Sequence, residues 1–193
     1  MAQLLAEIEA ANAAFLAGDG GQRPLRKVGK MPRRRVVILT CMDTRLVELL
    51  EPAMGIRRGE AKIVKVAGNT VGDGFDSVMG SLLVAVYELG VEAIIVVGHE
   101  GCGMLATTAA SLLAKMAAAG VAAAALDKLR PSLVKWADSI NCVEGAVAET
   151  VRRLRQSPYF PDYVTVYGAV MDPETGALRI IDRGREDKHD DCK

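Results

Sequence analysis

Aromatic residues are scarce in this chain of 193 residues: one Trp, four Tyr and three Phe make up 4% of it. Half of the residues are nonetheless apolar, so a core must come from Val, Ile, Leu, Met and Ala. Net charge is also missing, with 24 basic and 24 acidic side chains. That balance weighs against nucleic acid as the main partner and leaves little repulsion to oppose self-association. Cysteine is sparse: the four at positions 41, 102, 142 and 192 are too few and too irregularly spaced for a disulfide framework. No apolar run approaches the roughly 18 residues that span a membrane. The start, Met1-Ala-Gln-Leu-Leu-Ala-Glu-Ile-Glu9, places acids where the basic region of a signal peptide would stand. A soluble, cytoplasmic protein with no membrane partner is expected. The glycines at 72, 74, 98, 101 and 103 form neither G-x-G-x-x-G nor a phosphate-binding loop, and read as turn and helix-entry residues.

What remains is an alternation of short apolar runs and helical periodicities. Val36–Thr40 and Ala93–Val97 read as buried strands, because continuous β-branched runs suit a sheet covered on both faces, and Lys62–Val66 reads as a further strand. Tyr163–Ala169 and Leu178–Ile181 read as two more, joined by the turn Asp172-Pro-Glu-Thr-Gly176. Residues 2 to 17 form an amphipathic helix striped by Leu4, Ile8, Ala11 and Phe15 and ended by Gly18, Gly20 and Gly21. Arg23–Arg35 reads as a basic loop. A short helix should begin near Leu46 and break at Pro52. A longer one should run from about Phe75 to Leu89, capped by Asp73, stopped by Gly90 and brought close to another backbone by Gly80, Ser81 and Ala85. Met104–Ala125 is alanine-rich and helical with a break near Gly120. A last helix should run from Cys142 to Arg155, with Cys142 in its core. The fold class is α/β: a single domain over residues 1–193, with a mostly parallel sheet of four or five strands flanked by helices. Residues 1–34 form an N-terminal helix and arm, the last strand is antiparallel, and 183–193 form a mobile charged tail.

Two clusters follow directly on two of the strands: Cys41-x-Asp43-x-Arg45 and His99-x-x-Cys102. The chain has only two histidines and four cysteines, so this concentration stands out from composition. Two thiolates and one imidazole form a catalytic type of zinc set, three protein ligands with one position open. Two thiolates neutralise the dication, so water bound there should be less acidic than on a three-histidine zinc, where its pKa is about 7. Asp43 can accept a hydrogen bond from that water, and Arg45 can clamp Asp43 through a bidentate pair. Glu100 is expected to point outward into solvent. His189-x-x-Cys192 repeats the spacing, but in the charged tail with no strand behind it.

These motifs resemble the β-class carbonic anhydrases, whose pattern is C-x-D-x-R followed by H-x-x-C. Lys65-Val-Ala-Gly-Asn69 resembles the family's R-x-A-G-N, with Lys in place of Arg at 65. The resemblance is detailed from Val36 to Met104, and the short length is like the compact archaeal and bacterial branch. It implies one zinc ion per chain on Cys41, His99 and Cys102. Asp43 and Arg45 would be the catalytic residues, with Asp43 as a fourth ligand in a closed form. Gly68, Asn69 and Gly103 would border the substrate. The implied reaction is reversible hydration of carbon dioxide to bicarbonate by zinc-bound hydroxide. The implied assembly is a homodimer or higher even oligomer, with the N-terminal helix packed on its neighbour. The nearest rival is hydrolysis of carbonyl sulfide or carbon disulfide at the same zinc; a non-catalytic zinc-binding protein ranks below it. A zinc deaminase is disfavoured because H-x-E and P-C-x-x-C are missing, and a thiol redox protein because C-x-x-C is missing.

Overall fold

Every residue of Val36–Cys41 (β1) is buried, as its unbroken apolar run requires. The strand lies inside a five-stranded sheet completed by β2 (Ala61–Val66), β3 (Ala93–His99), β4 (Thr165–Met171) and β5 (Leu178–Asp182). The order is β2-β1-β3-β4-β5; the first four strands are parallel and β5 runs antiparallel to β4. The structure, a computed structural model, describes residues 2–17, 27–72 and 74–184. Six α-helices are described: α1 (Ala2–Ala17), α2 (Leu50–Ala53), α3 (Ser77–Tyr87), α4 (Ala109–Ala118), α5 (Ala123–Ala137) and α6 (Val143–Gln156).

The core follows the periodicities. Met79, Leu82, Ala85 and Val86 of α3 are buried, as are Val143, Val147, Val151 and Leu154 of α6. A Cβ on Gly98 of β3 would lie 2.7 Å from Val147 Cγ2 and 2.9 Å from Val143 Cγ1. Gly98 is therefore a strand residue that lets α6 lie close on the sheet, not part of the turn after it. Gly98→Ala is expected to cost about 1–3 kcal/mol, because branched, buried valines have no free rotamer to retreat into. Urea unfolding measures this; an unchanged midpoint would mean that α6 shifts freely.

Several expectations are corrected. Pro52 does not break a helix at 46; it sits in the first turn of α2, where its missing N–H would have no partner anyway. Residues 44–46 form a separate single 3-10 turn. The cap of α3 is Asp76, whose carboxylate accepts the Met79 N–H at 2.7 Å. Phe75 consequently lies before the helix and is exposed. Of its small residues only Ala85 is buried; Gly80 faces the Phe75 ring and Ser81 is exposed. The region from Met104 is a 3-10 turn, then α4 with a capping box at Thr108 and Ser111, then α5. Cys142 is exposed rather than in a core: it caps α6, and its Sγ accepts the Gly145 N–H at 3.3 Å. Gly18, Gly20, Gly21, Asp73, His189 and Cys192 lie outside the described residues.

Candidate metal centre

The sheet reverses direction of growth at β1: β2 lies on one side of it and β3 on the other. Open α/β sheets bind ligands beyond the carboxyl ends of the strands at such a point. Cys41 ends β1 and His99 ends β3. Immediately below them the Thr40 hydroxyl donates to the Val97 carbonyl at 2.9 Å, locking the two strand ends together.

The donor atoms of Cys41, His99 and Cys102 all lie within 4.8 Å of one another, and all three residues are buried. The two sulfurs are 3.9 Å apart. A tetrahedral zinc with bonds of ~2.3 Å to sulfur sets its sulfurs about 3.8 Å apart, so the spacing fits. The fully buried His99 ring has Nδ1 3.0 Å from the Glu100 carbonyl oxygen. A carbonyl only accepts, so Nδ1 carries the proton and Nε2 presents a lone pair. That Nε2 has no hydrogen-bond partner among the described residues. A buried imidazole nitrogen without a partner, beside two sulfurs, fits a metal ligand whose other nitrogen is held by a carbonyl.

The electrostatics agree. Burial pushes the Cys41 thiol up, but the His99 side chain and the backbone amides of Gly68 and Asp43 outweigh it and bring Cys41 to about 7. Burial and the Cys41 charge raise Cys102, although the Met104 amide opposes them. The neighbouring Cys41 sulfur raises His99. Two thiolates this close repel, and a divalent cation would relieve that repulsion.

Asp43 leaves β1 two residues after Cys41 and caps the 3-10 turn Thr44–Leu46. Its Oδ1 accepts from the Arg45 backbone N–H and from Arg45 Nε, each at 2.9 Å, and its Oδ2 accepts from Arg45 Nη2 at 2.9 Å. This is the bidentate clamp expected from the spacing. The Arg45 guanidinium holds the carboxyl down at about 2, so Asp43 is ionised at any ordinary pH. Asp43 Oδ2 also lies 3.6 Å from His99 Nε2, at the edge of the ligand set. Arg45 Nη2 donates in addition to the Gly101 carbonyl at 2.9 Å. Gly101 has φ 61°, a left-handed turn that suits glycine. Arg45 thereby joins the exit of β1 to the exit of β3.

The remaining residues are placed as follows. Gly68 and Asn69 are buried in the turn that follows β2, whose last residue, Val66, pairs with Cys41. Gly103 opens a 3-10 turn with free space where a side chain would be. Glu100 is exposed, as expected, with Arg179 Nη2 3.6 Å from its Oε1. Sequence reasoning missed the backbone partners: the Gly101 carbonyl for Arg45 and the Glu100 carbonyl for His99. Every residue carries those groups, so no residue type signals them.

Comparison with known proteins gives a consistent result. A family model described as carbonic anhydrase matches residues 36–178. The Bacillus subtilis protein named "Putative carbonic anhydrase YvdA" is 44% identical over 163 residues, 83% of each chain. The carbon disulfide hydrolase of Acidithiobacillus thiooxidans is 30% identical over 168 residues, 80% of each chain. The crystal structure of β-carbonic anhydrase isoform I from Trichomonas vaginalis superposes with a TM-score of 0.89 at 39% identity, covering 93% of this chain and 98% of that one.

Proposed function

Because the chain belongs to the β-carbonic anhydrase family, we propose that it catalyses the reversible reaction of carbon dioxide and water to bicarbonate and a proton. The observation that carries this reading is the buried Cys41, His99 and Cys102 set with the Asp43–Arg45 pair at its edge. Those three residues would hold one zinc ion per chain. When bound, zinc supplies a Lewis acid that acidifies water and makes it a nucleophile at moderate pH.

The chain's own groups do the rest. Asp43, fixed by three hydrogen bonds from Arg45, accepts one from the attacking water and aims its lone pair at carbon. Asp43 would be a fourth ligand in a closed form, and its three hydrogen bonds from Arg45 favour the open one. Gly68, Asn69 and Gly103 are assigned to the walls around the substrate, Gly103 supplying open space. Residues 3–17 of α1 are all exposed, including Leu4, Ile8 and Phe15. That stripe supports assembly into a homodimer or higher even oligomer with α1 on its neighbour. No described helix is long and apolar enough to cross a membrane, and we assign the protein to the cytoplasm.

Hydrolysis of carbonyl sulfide or carbon disulfide is the second reading, favoured by the likeness to a carbon disulfide hydrolase. The higher identity to a carbonic anhydrase ranks it second. Stopped-flow assays on zinc-quantified protein, with carbon dioxide and the two sulfur compounds in parallel, separate the readings. Carbon dioxide turnover that rises toward alkaline pH is expected, because thiolate ligands acidify the metal's water weakly. Background hydration of carbon dioxide together with turnover of a sulfur substrate would reverse the ranking.

A further inference from the structure

Asn69 combines features that its place in the core does not require. It is only 3% exposed, yet its backbone is left-handed, with φ 50°. A residue other than glycine enters that region at a cost. Its Nδ2 has no hydrogen-bond partner among the described residues, a second cost for a buried donor. Its surroundings indicate what these costs serve. Gly68, immediately before it, is also left-handed (φ 71°), and the turn the two form directly follows β2, whose last residue, Val66, pairs with Cys41. A Cβ on Gly68 would lie 2.8 Å from Ile140 Cδ1, so the turn cannot slide inward. On its other side, Asn69 Oδ1 lies 3.5 Å from where a Cβ on Gly98 would stand, and Gly98 directly precedes His99.

We propose that Asn69 is a positioning residue of the metal centre. Its left-handed backbone holds the turn after β2 beside Cys41, and its buried side chain wedges against β3 at Gly98, fixing the approach of His99. Asparagine suits both tasks: it tolerates left-handed backbone better than other side chains and still fills volume. Glycine would supply the backbone without the wedge, and leucine the wedge against an unfavourable backbone. The inference rests on the zinc reading above.

The test compares the full-length wild type with Asn69→Gly and Asn69→Leu. Zinc-loaded protein is mixed with excess EDTA and zinc release is followed; cobalt-substituted protein is examined for its thiolate-to-cobalt charge-transfer bands. Both variants should release zinc about ten- to hundredfold faster, as is usual when a metal's outer contacts are removed. Their cobalt bands should shift, while the thermal midpoint of Asn69→Gly stays near that of the wild type. If Asn69→Leu does not fold, Asn69→Gly alone decides. Zinc release and a cobalt spectrum in Asn69→Gly that match the wild type would overturn the proposal. A wild type that takes up neither metal would instead overturn the zinc reading, and this inference with it.

Discussion

His99→Ala is expected to empty the metal centre and abolish activity in one step. Its Nε2 is the only nitrogen in the donor set; without it, two sulfurs 3.9 Å apart remain. Two thiolates do not complete a catalytic zinc site, which takes three protein ligands. Metal analysis should fall from a full equivalent per chain to a small fraction. Carbon dioxide hydration should drop by roughly 10⁴-fold or more, because water loses the cation that acidifies it. The deletion also opens a void under β3, where His99 is fully buried, so the thermal midpoint should fall as well. Cys41→Ser gives a control of nearly unchanged shape: it should lose metal and rate together with a smaller loss of stability. A His99→Ala protein that kept its zinc and its rate would remove His99 from the site.

Asp43→Ala should separate what His99→Ala joins. Asp43 stands at the edge of the ligand set, 3.6 Å from His99 Nε2, with its three hydrogen bonds directed to Arg45. Zinc content should therefore stay near the wild-type level. The rate should fall by about 10²- to 10⁴-fold, the usual contribution of a group that manages a proton at the reacting atom. Because Arg45 holds the Asp43 carboxyl at about 2, this residue does not titrate in the assay range. The ratio of variant to wild-type rate should thus be constant from acid to alkaline pH, even though both rates change. A variant as fast as the wild type across that range would refute the role given to Asp43; so would a variant that lost its zinc.

The inner strands were legible because their apolar runs are buried in the sheet, whereas the edge strands β2 and β5 have no fully buried residue. Val36–Cys41 and Ala93–His99 needed nothing beyond the preference of β-branched residues for a covered sheet. Element ends were less legible. Asp76, not Asp73, caps α3, because a cap depends on where the first turn closes and two aspartates near the start look alike in sequence. The alanine-rich stretch was read as ending at Ala125, but α5 runs on to Ala137 with Pro131 inside it, because alanine content marks only the first turn of that helix. Cys142 looked like core because cysteine is usually buried, yet it caps a helix at the surface.

By itself the sequence determined the candidate donor set of two cysteines and one histidine, and the Asp43–Arg45 clamp. Residues two or three apart at a strand end have few places to go, so short-range geometry settles them. Tertiary structure decided what depends on distant segments meeting: the 3.9 Å between Cys41 and Cys102, the partnerless Nε2 of His99, and the Gly101 carbonyl on Arg45. It also decided that Gly98 serves helix packing and that the Asn69 side chain lies beside Gly98. The physical reason is that these are contacts of backbone and volume across strands, and backbone groups are the same in every residue until the fold places them.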